Sequence, residues 1–259
     1  MRKRLVTCMF IATAMLAVDC HADSAATIRF GVDASYAPFE SKTPEGKLVG
    51  FDIDMGNEIC ARLKAKCVWV ENDFDGMIPA LKARKFDGIV SMGKTPQRAE
   101  QIAFSSRLYY TPTRLVARRG SKLSPTPDSL AGKSVGVQQG TIQETYANAH
   151  WRQNGVKVVP YENQDQVYAD LVSGRLDATL QDAVQADYGF LRTPRGSAFA
   201  YAGDNVEDKN TLGGDGAIGM RKEDKALKER IDQAIAGIIR DGTYRKIENR
   251  YFNIDVYGE

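Results

Sequence analysis

The sequence predicts an α/β protein built from two similar lobes, each a mainly parallel sheet flanked by helices. Two observations carry that prediction. Short apolar runs alternate with stretches of helical periodicity along most of the 259 residues, which is the signature of largely parallel sheets covered by helices. The plan also repeats. Leu81-Lys-Ala-Arg-Lys-Phe-Asp87-Gly-Ile-Val is echoed by Leu171-Val-Ser-Gly-Arg-Leu-Asp177-Ala-Thr-Leu, and Phe30-Gly31-Val32-Asp33 by Val135-Gly136-Val137-Gln138, in the same order. One helix-turn-strand unit often looks like another, but two echoes in one order indicate two similar lobes.

In chain order, 28–32 reads as a first strand and 52–63 as a helix, with Asp52 as its cap and Ile53, Gly56, Ile59 and Leu63 along one face. A strand at 68–70 follows, then a short helix at 77–83 with Pro79 near its beginning, and a strand at 86–90. In the second half, strands at 115–117 and 135–137 precede a helix at 141–151, a strand at 156–159, a helix at 165–172 and a strand at 178–180. A long amphipathic helix at 226–239 and a shorter one at 243–251 close the chain.

The first 22 residues stand apart. Arg2, Lys3 and Arg4 make a basic start, 5–18 is apolar, and Cys20-His21-Ala22 is a small-residue exit, the three parts of a secretory signal peptide. The apolar run is too short to span a bilayer comfortably, and no later stretch approaches about 18 apolar residues. Cys20 leaves a lipid-modified N-terminus as the lesser alternative, because Asp19 stands where such signals carry a small residue. Without the leader the chain holds 32 basic and 32 acidic residues, so its composition excludes the basic excess expected of a nucleic-acid or anionic-membrane partner. Two cysteines remain, Cys60 and Cys67, an even pair seven positions apart in an oxidising compartment, which reads as a structural disulfide. A zinc site lacks ligands, since His150 is the one histidine left beyond the leader. No metal and no cofactor is implied.

Two α/β lobes that face each other take a ligand where strand C-terminal ends and helix N-termini line a crevice. The candidates are the residues just after the predicted strands: Asp33, the run 91–94 with Ser91 and Gly93, the run 138–143 with Gln138, Thr141, Ile142 and Gln143, and Asp182. The set is strongly polar and contains two carboxylates. No catalytic residue is assigned. His150 has no nearby Ser or Cys motif, Asp52 and Asp54 point apart at a helix start, and the Gly-rich Lys-Ser/Thr phosphate loop is absent.

Seven runs then match one family in its order. They include Asp33-Ala-Ser-Tyr36-Ala-Pro-Phe39, Gly50-Phe-Asp52-Ile-Asp54, Asp73-Phe74-Asp75-Gly76-Met77-Ile78-Pro79, Thr95-Pro-Gln-Arg98, Gly136-Val-Gln-Gln-Gly140-Thr, Gly174-Arg-Leu-Asp177-Ala-Thr-Leu-Gln-Asp182 and Asp241-Gly-Thr-Tyr244, with the Cys60 and Cys67 pair beside them. On these residues the mature chain resembles, over nearly its whole length, the periplasmic solute-binding proteins of the polar amino-acid class, nearest to the lysine/arginine/ornithine-binding and histidine-binding kinds. The resemblance implies a two-lobed binding protein of type II, its mixed, mainly parallel sheets joined by crossings near 110–112 and 207–213. Lobe 1 is then 23–110 with 208–259, lobe 2 is 111–207, and the leader is 1–22. It further implies a periplasmic monomer without enzymatic activity, which closes on one amino acid and passes it to an inner-membrane ABC permease complex.

For the site, the resemblance implies that Arg98 and the turn before the helix at Thr141 hold the ligand's carboxylate, while Asp182 takes its ammonium. Physically, a guanidinium fork pairs a carboxylate in two bonds and a helix start supplies aimed N–H groups. Asp33 lies where basic-amino-acid binders hold the distal cation, and Tyr36 and Phe74 where two rings sandwich the aliphatic stem. Gln143 is an additional polar contact. A cationic ligand such as arginine, lysine or ornithine is the expectation. Three positions depart from the family: Gly93 replaces a serine in a run one residue shorter, Ile142 replaces a hydroxyl residue, and Gln138 replaces a more apolar one. These changes favour a larger or modified cation, so histidine or an opine is the alternative ligand. A dehydratase on the same scaffold is the alternative of another class.

Overall fold

The computed structural model describes residues 26–213 and 215–258. The predicted leader, with Cys8 and Cys20, lies outside the described residues.

The chain opens with β1 (Thr27–Val32), then three very short strands, β2 (Ser35–Tyr36), β3 (Glu40–Lys42) and β4 (Leu48–Val49), which pair antiparallel into a small sheet of their own. Helix α1 (Phe51–Arg62), β5 (Lys66–Glu71), α2 (Met77–Lys82), β6 (Gly88–Gly93), α3 (Pro96–Ala99) and β7 (Ala103–Tyr110) follow. The next block holds β8 (Thr113–Arg118), α4 (Pro127–Leu130), β9 (Ser134–Gln138), α5 (Ile142–His150), β10 (Lys157–Tyr161), α6 (Gln164–Ser173) and β11 (Ala178–Asp182). It ends with α7 (Ala183–Ala186), a π-helical turn (Asp187–Leu191) and β12 (Phe199–Tyr201). Strand β13 (Asp215–Met220) and helices α8 (Lys225–Arg240) and α9 (Thr243–Glu248) complete the order.

Two five-stranded sheets result, ordered β5-β1-β6-β13-β7 and β10-β9-β11-β8-β12. They share one plan. In the first, β1 pairs parallel with β5 and β6, and β13 pairs antiparallel with β6 and β7. In the second, β9 pairs parallel with β10 and β11, and β8 pairs antiparallel with β11 and β12. Parallel and antiparallel pairings are thus equal in number, so the sheets are mixed without a parallel majority. Because β13 enters the first sheet from the far end of the chain, that sheet is closed only after the second has been built.

The two sequence echoes fall on equivalent places in the two sheets. Asp87 and Asp177 both precede a strand and both receive a main-chain N–H from the neighbouring one, Arg29 N to Asp87 at 3.1 Å and Ser134 N to Asp177 at 2.8 Å. Gly31 and Gly136 sit where a Cβ would strike the ring of Phe86 at 2.7 Å and Leu176 at 2.4 Å, so each strand needs a glycine for the apolar residue before its aspartate to lie flat against it.

Apolar clusters lie on both faces of each sheet. Helix α8 shows why: Ile231, Ala234, Ile235 and Ile238 recur at helical spacing and are buried against the first sheet's largest cluster, which also holds Phe30, Phe39 and Phe51. Trp151 and Leu180 anchor one face of the second sheet, Tyr168 and Phe190 the other. Cys60 and Cys67 are joined, tying the end of α1 to β5 across a Cα separation of 5.8 Å.

Two expectations need correction. Asp52 does not cap α1. Gly50 holds that position with φ +136°, where a Cβ would come 2.1 Å from the Phe39 carbonyl oxygen, and Asp52 lies one residue inside the first turn, fully buried. The strand expected at 86–90 runs instead over Gly88–Gly93, because the Asp87 carboxylate engages Arg29 and keeps Phe86 and Asp87 in the turn. Ser91 and Gly93 therefore end a strand rather than follow one. Strands β7, β12 and β13 and the small three-stranded sheet carry no sequence signal strong enough to read.

Candidate ligand-binding cleft

Strands β1 and β9 are the switch points of their sheets, each with a parallel neighbour on either side, and a crevice forms beyond the carboxyl ends of such strands. Asp33 follows the end of β1 and Gln138 ends β9. These two echoed positions meet across the gap, where Gln138 Nε2 donates to Asp33 Oδ2 at 2.5 Å. The other Asp33 oxygen accepts from the Ser35 hydroxyl at 2.8 Å and the Ser35 N–H at 3.2 Å. A cavity opens here, and every one of the eleven candidate residues named from the sequence lines it.

One positive charge lines the cavity among the described residues, that of Arg98. Arg98 sits in the single turn of α3, whose Thr95 cap accepts from the Arg98 N–H at 3.2 Å. Its guanidinium is buried and lies 5.5 Å from the centre of the Phe74 ring. One terminal nitrogen donates to the Gly93 carbonyl at 2.7 Å and the other to the Gly140 carbonyl at 2.8 Å, so one side chain bridges the two lobes. Burial lowers its pKa to about 10, which leaves it charged at neutral pH. Facing it, Thr141 caps α5: its hydroxyl accepts from the Glu144 N–H at 3.1 Å and donates to the Gln138 carbonyl at 2.7 Å. Gln143 is buried in the first turn and donates to the Thr113 hydroxyl at 3.3 Å.

Three acids, Asp33, Glu40 and Asp182, also line the cavity. Asp182 ends β11 and caps α7, accepting from the Gln185 N–H at 2.8 Å and from the Thr111 hydroxyl, with the Tyr36 hydroxyl also bonded to it. Burial pushes its pKa up to about 6 against the pull of those hydrogen bonds. Asp33 is also raised, by burial first and by the nearby Asp73 charge, while Ser35 and Gln138 hold it down. Glu40 lines the cavity with Asp52 behind it, and Ser91 donates to Asp52 Oδ2 at 2.7 Å.

Four lining residues escaped sequence reasoning: Glu40, Tyr109, Thr111 and Gly216. Glu40 follows Phe39 in a strand too short to read. Thr111 belongs to the crossing expected near 110–112 and Tyr109 to β7 just before it, and their closeness to the cleft is a tertiary fact. Gly216 matters by what it lacks, since a Cβ there would come 2.4 Å from the Tyr109 ring. The departures at Gly93 and Ile142 also prove to be one feature, because a Cβ at residue 93 would lie 3.3 Å from Ile142 Cδ1. The missing side chain on one lobe makes room for the larger one on the other.

Comparison with known proteins gives concordant results. The model of the bacterial extracellular solute-binding proteins, family 3, matches residues 28–254. The chain is 48% identical over 260 aligned positions to the lysine/arginine/ornithine-binding periplasmic protein of Escherichia coli strain K12, covering 100% of both chains. It is 47% identical over 232 residues to the histidine-binding periplasmic protein of the same strain, covering 89% of each. Among solved structures, a Salmonella typhimurium periplasmic binding protein described for high arginine specificity superposes with a TM-score of 0.81 at 29% identity, over 88% of this chain and 100% of that one.

Proposed function

This chain belongs to the bacterial extracellular solute-binding proteins of family 3, and from that premise we propose that it captures a cationic amino acid, arginine, lysine or ornithine, for an ABC importer. One observation carries the reading: among the described residues lining the cavity, Asp33, Glu40 and Asp182 are acids and Arg98 is the one base. A zwitterion with a charged side chain complements that balance, whereas an acidic amino acid adds to its repulsion. The relatives are binding proteins rather than enzymes, and binding is the whole of the activity assigned.

In this reading Arg98, the Gly93 main chain and the start of α5 at Thr141 and Ile142 hold the ligand's carboxylate. Asp182 accepts its ammonium. Tyr36 and Phe74 flank the stem, and Asp33, steadied by Gln138 and Ser35, takes the distal charge. Gln143 and Ser91 complete the polar wall. The lobes are 23–110 with 208–259 and 111–207, and closure turns on the crossings near 110–112 and 207–213. The protein works as a monomer in the periplasm after loss of residues 1–22, and delivers its ligand to an inner-membrane permease complex. The relatives' periplasmic location supports this placement.

Calorimetric titration of the ligand-stripped mature protein with arginine, lysine, ornithine, histidine, glutamate and an opine tests the proposal. Binding to at least one of the first three and none to glutamate is expected. Tight binding of glutamate refutes the substrate class, and binding of histidine or the opine alone refutes the choice of ligand.

A further inference from the structure

Behind the Asp33 region lies a pair of acids that the binding of a single distal cation does not use. Glu40, on β3, is 4% exposed and lines the cavity; Asp52, on α1, is fully buried behind it. Asp52 Oδ2 accepts from the Ser91 hydroxyl at 2.7 Å, and the Tyr109 hydroxyl lies 3.5 Å from that oxygen and bonds to Ser91. Glu40 Oε2 and Asp52 Oδ1 have no donor. The Asp52 N–H donates to the Phe39 carbonyl at 2.9 Å, which sets Glu40 beside Asp52; the two carboxyl groups act on each other, and a carboxylate only accepts. A bond between them therefore requires a proton on one.

Among the described residues no base bonds to either carboxyl group. The ionisable groups acting on the pair include Asp33 beyond β1, Tyr36 on β2, Tyr109 on β7, Asp182 on β11 and Tyr244 on α9, all acidic or neutral. Arg98, the one base lining the cavity among the described residues, donates from its terminal nitrogens to the Gly93 and Gly140 carbonyls rather than to the pair. Two buried carboxylates in contact without a cation cannot both stay ionised.

We propose that Glu40 and Asp52 share one proton in the empty cleft and release it when a cationic side chain enters. Resting on the function proposed above, this makes capture an exchange: one positive charge arrives, one proton leaves to solvent, and the buried charge is unchanged. Burial and mutual repulsion support it, holding Glu40 well above the usual carboxylate range and Asp52 up to about 7. Such a pair titrates as a unit. It also explains how a cleft lined by three acids and one base, with a fourth acid behind it, stays folded while empty.

Titration with arginine near pH 7.5, in buffers of different ionisation enthalpy, counts the protons. At that pH Asp182 is already ionised. The wild type is expected to release about 0.5 to 1 proton per arginine, and Glu40→Gln, whose amide donates to Asp52 and holds it ionised, fewer than about 0.2. Buffer-independent heat in the wild type, or an undiminished count in Glu40→Gln, overturns the proposal. The wild type alone gives a second measurement: its affinity for arginine must rise several-fold, at most about tenfold, between about pH 7 and about pH 8, and a flat profile overturns it. Whether arginine binds at all judges the function; how the heat varies with buffer judges the proton.

Discussion

Replacing Asp33 with asparagine separates charge from shape at the position on which the choice of a cationic ligand turns. The side chain keeps its size, and its oxygen still accepts from Ser35, as Asp33 Oδ1 does at 2.8 and 3.2 Å. Its amide meets Gln138 Nε2, 2.5 Å from the present Oδ2, and a rotation of the Gln138 amide restores that bond. What is lost is one negative charge in a half-enclosed site. Two unit charges about 4 Å apart at an effective dielectric of about 20 attract by about 4 kcal/mol, and loss of a partner from an enclosed pair typically costs about 2 to 5 kcal/mol. Allowing for the remaining acids, Asp33→Asn is expected to weaken arginine by about 30- to 1000-fold. Citrulline, the same shape without the charge, should change by less than about threefold. Calorimetric titration of both ligands against both proteins measures this. Arginine affinity unchanged within about twofold, or equal losses for arginine and citrulline, refutes the placement of the distal charge at Asp33.

Three further outcomes follow from the same geometry. Gly140, at φ +77°, would carry a Cβ only 2.6 Å from the Asp75 main chain across the gap, so Gly140→Ala should obstruct closure and weaken arginine by more than about tenfold, as read by calorimetry. The buried acids set the stability of the empty protein over mildly acid pH. Asp52 and Asp182 are raised by burial to about 7 and about 6, so their contribution is complete below about pH 4 and is lost as pH rises through those values. The melting temperature should therefore fall between about pH 5 and about pH 7.5, and Asp52→Asn should flatten that fall; a wild-type profile rising across this range would contradict it. Finally, closing the seven-residue separation between Cys60 and Cys67 is worth about 2.5 kcal/mol on the chain-entropy relation. The double Cys→Ser variant should lose about that much in urea unfolding, while arginine affinity stays within about threefold, since the bond lies away from the cavity.

The legible part of this protein is the part encoded locally. Strand β1, helices α5, α6 and α8, and the equivalence of the two sheets all follow from apolar periodicity and from two echoed runs. The echoes were readable because they carry a packing requirement: a glycine in one strand faces the bulky residue ahead of an aspartate, and that aspartate binds a main-chain N–H of the neighbouring strand. The rule that ligands sit beyond the carboxyl ends of such strands then led to Asp33, Gln138 and Asp182 without reference to any relative. Strand β13 was illegible because its glycines, Gly216 and Gly219, leave few side chains to show alternation. The error over Asp52 has a similar root. An acid at a helix start ordinarily caps it, and nothing nearby in the chain reveals that Ser91, 39 positions away, takes its carboxyl instead.

By itself, then, the sequence determined two α/β lobes and a polar crevice between them with Asp33 and Asp182 on its wall, because periodicity and strand-end position are properties of short segments; Arg98 was placed there by resemblance. Only the tertiary structure decided that Glu40 and Asp52 face each other beneath that crevice, that Arg98 spans from Gly93 to Gly140, and that Gly93 makes room for Ile142. These pairings join residues distant in the chain, and burial and charge act between neighbours in space, which no local pattern of residues records.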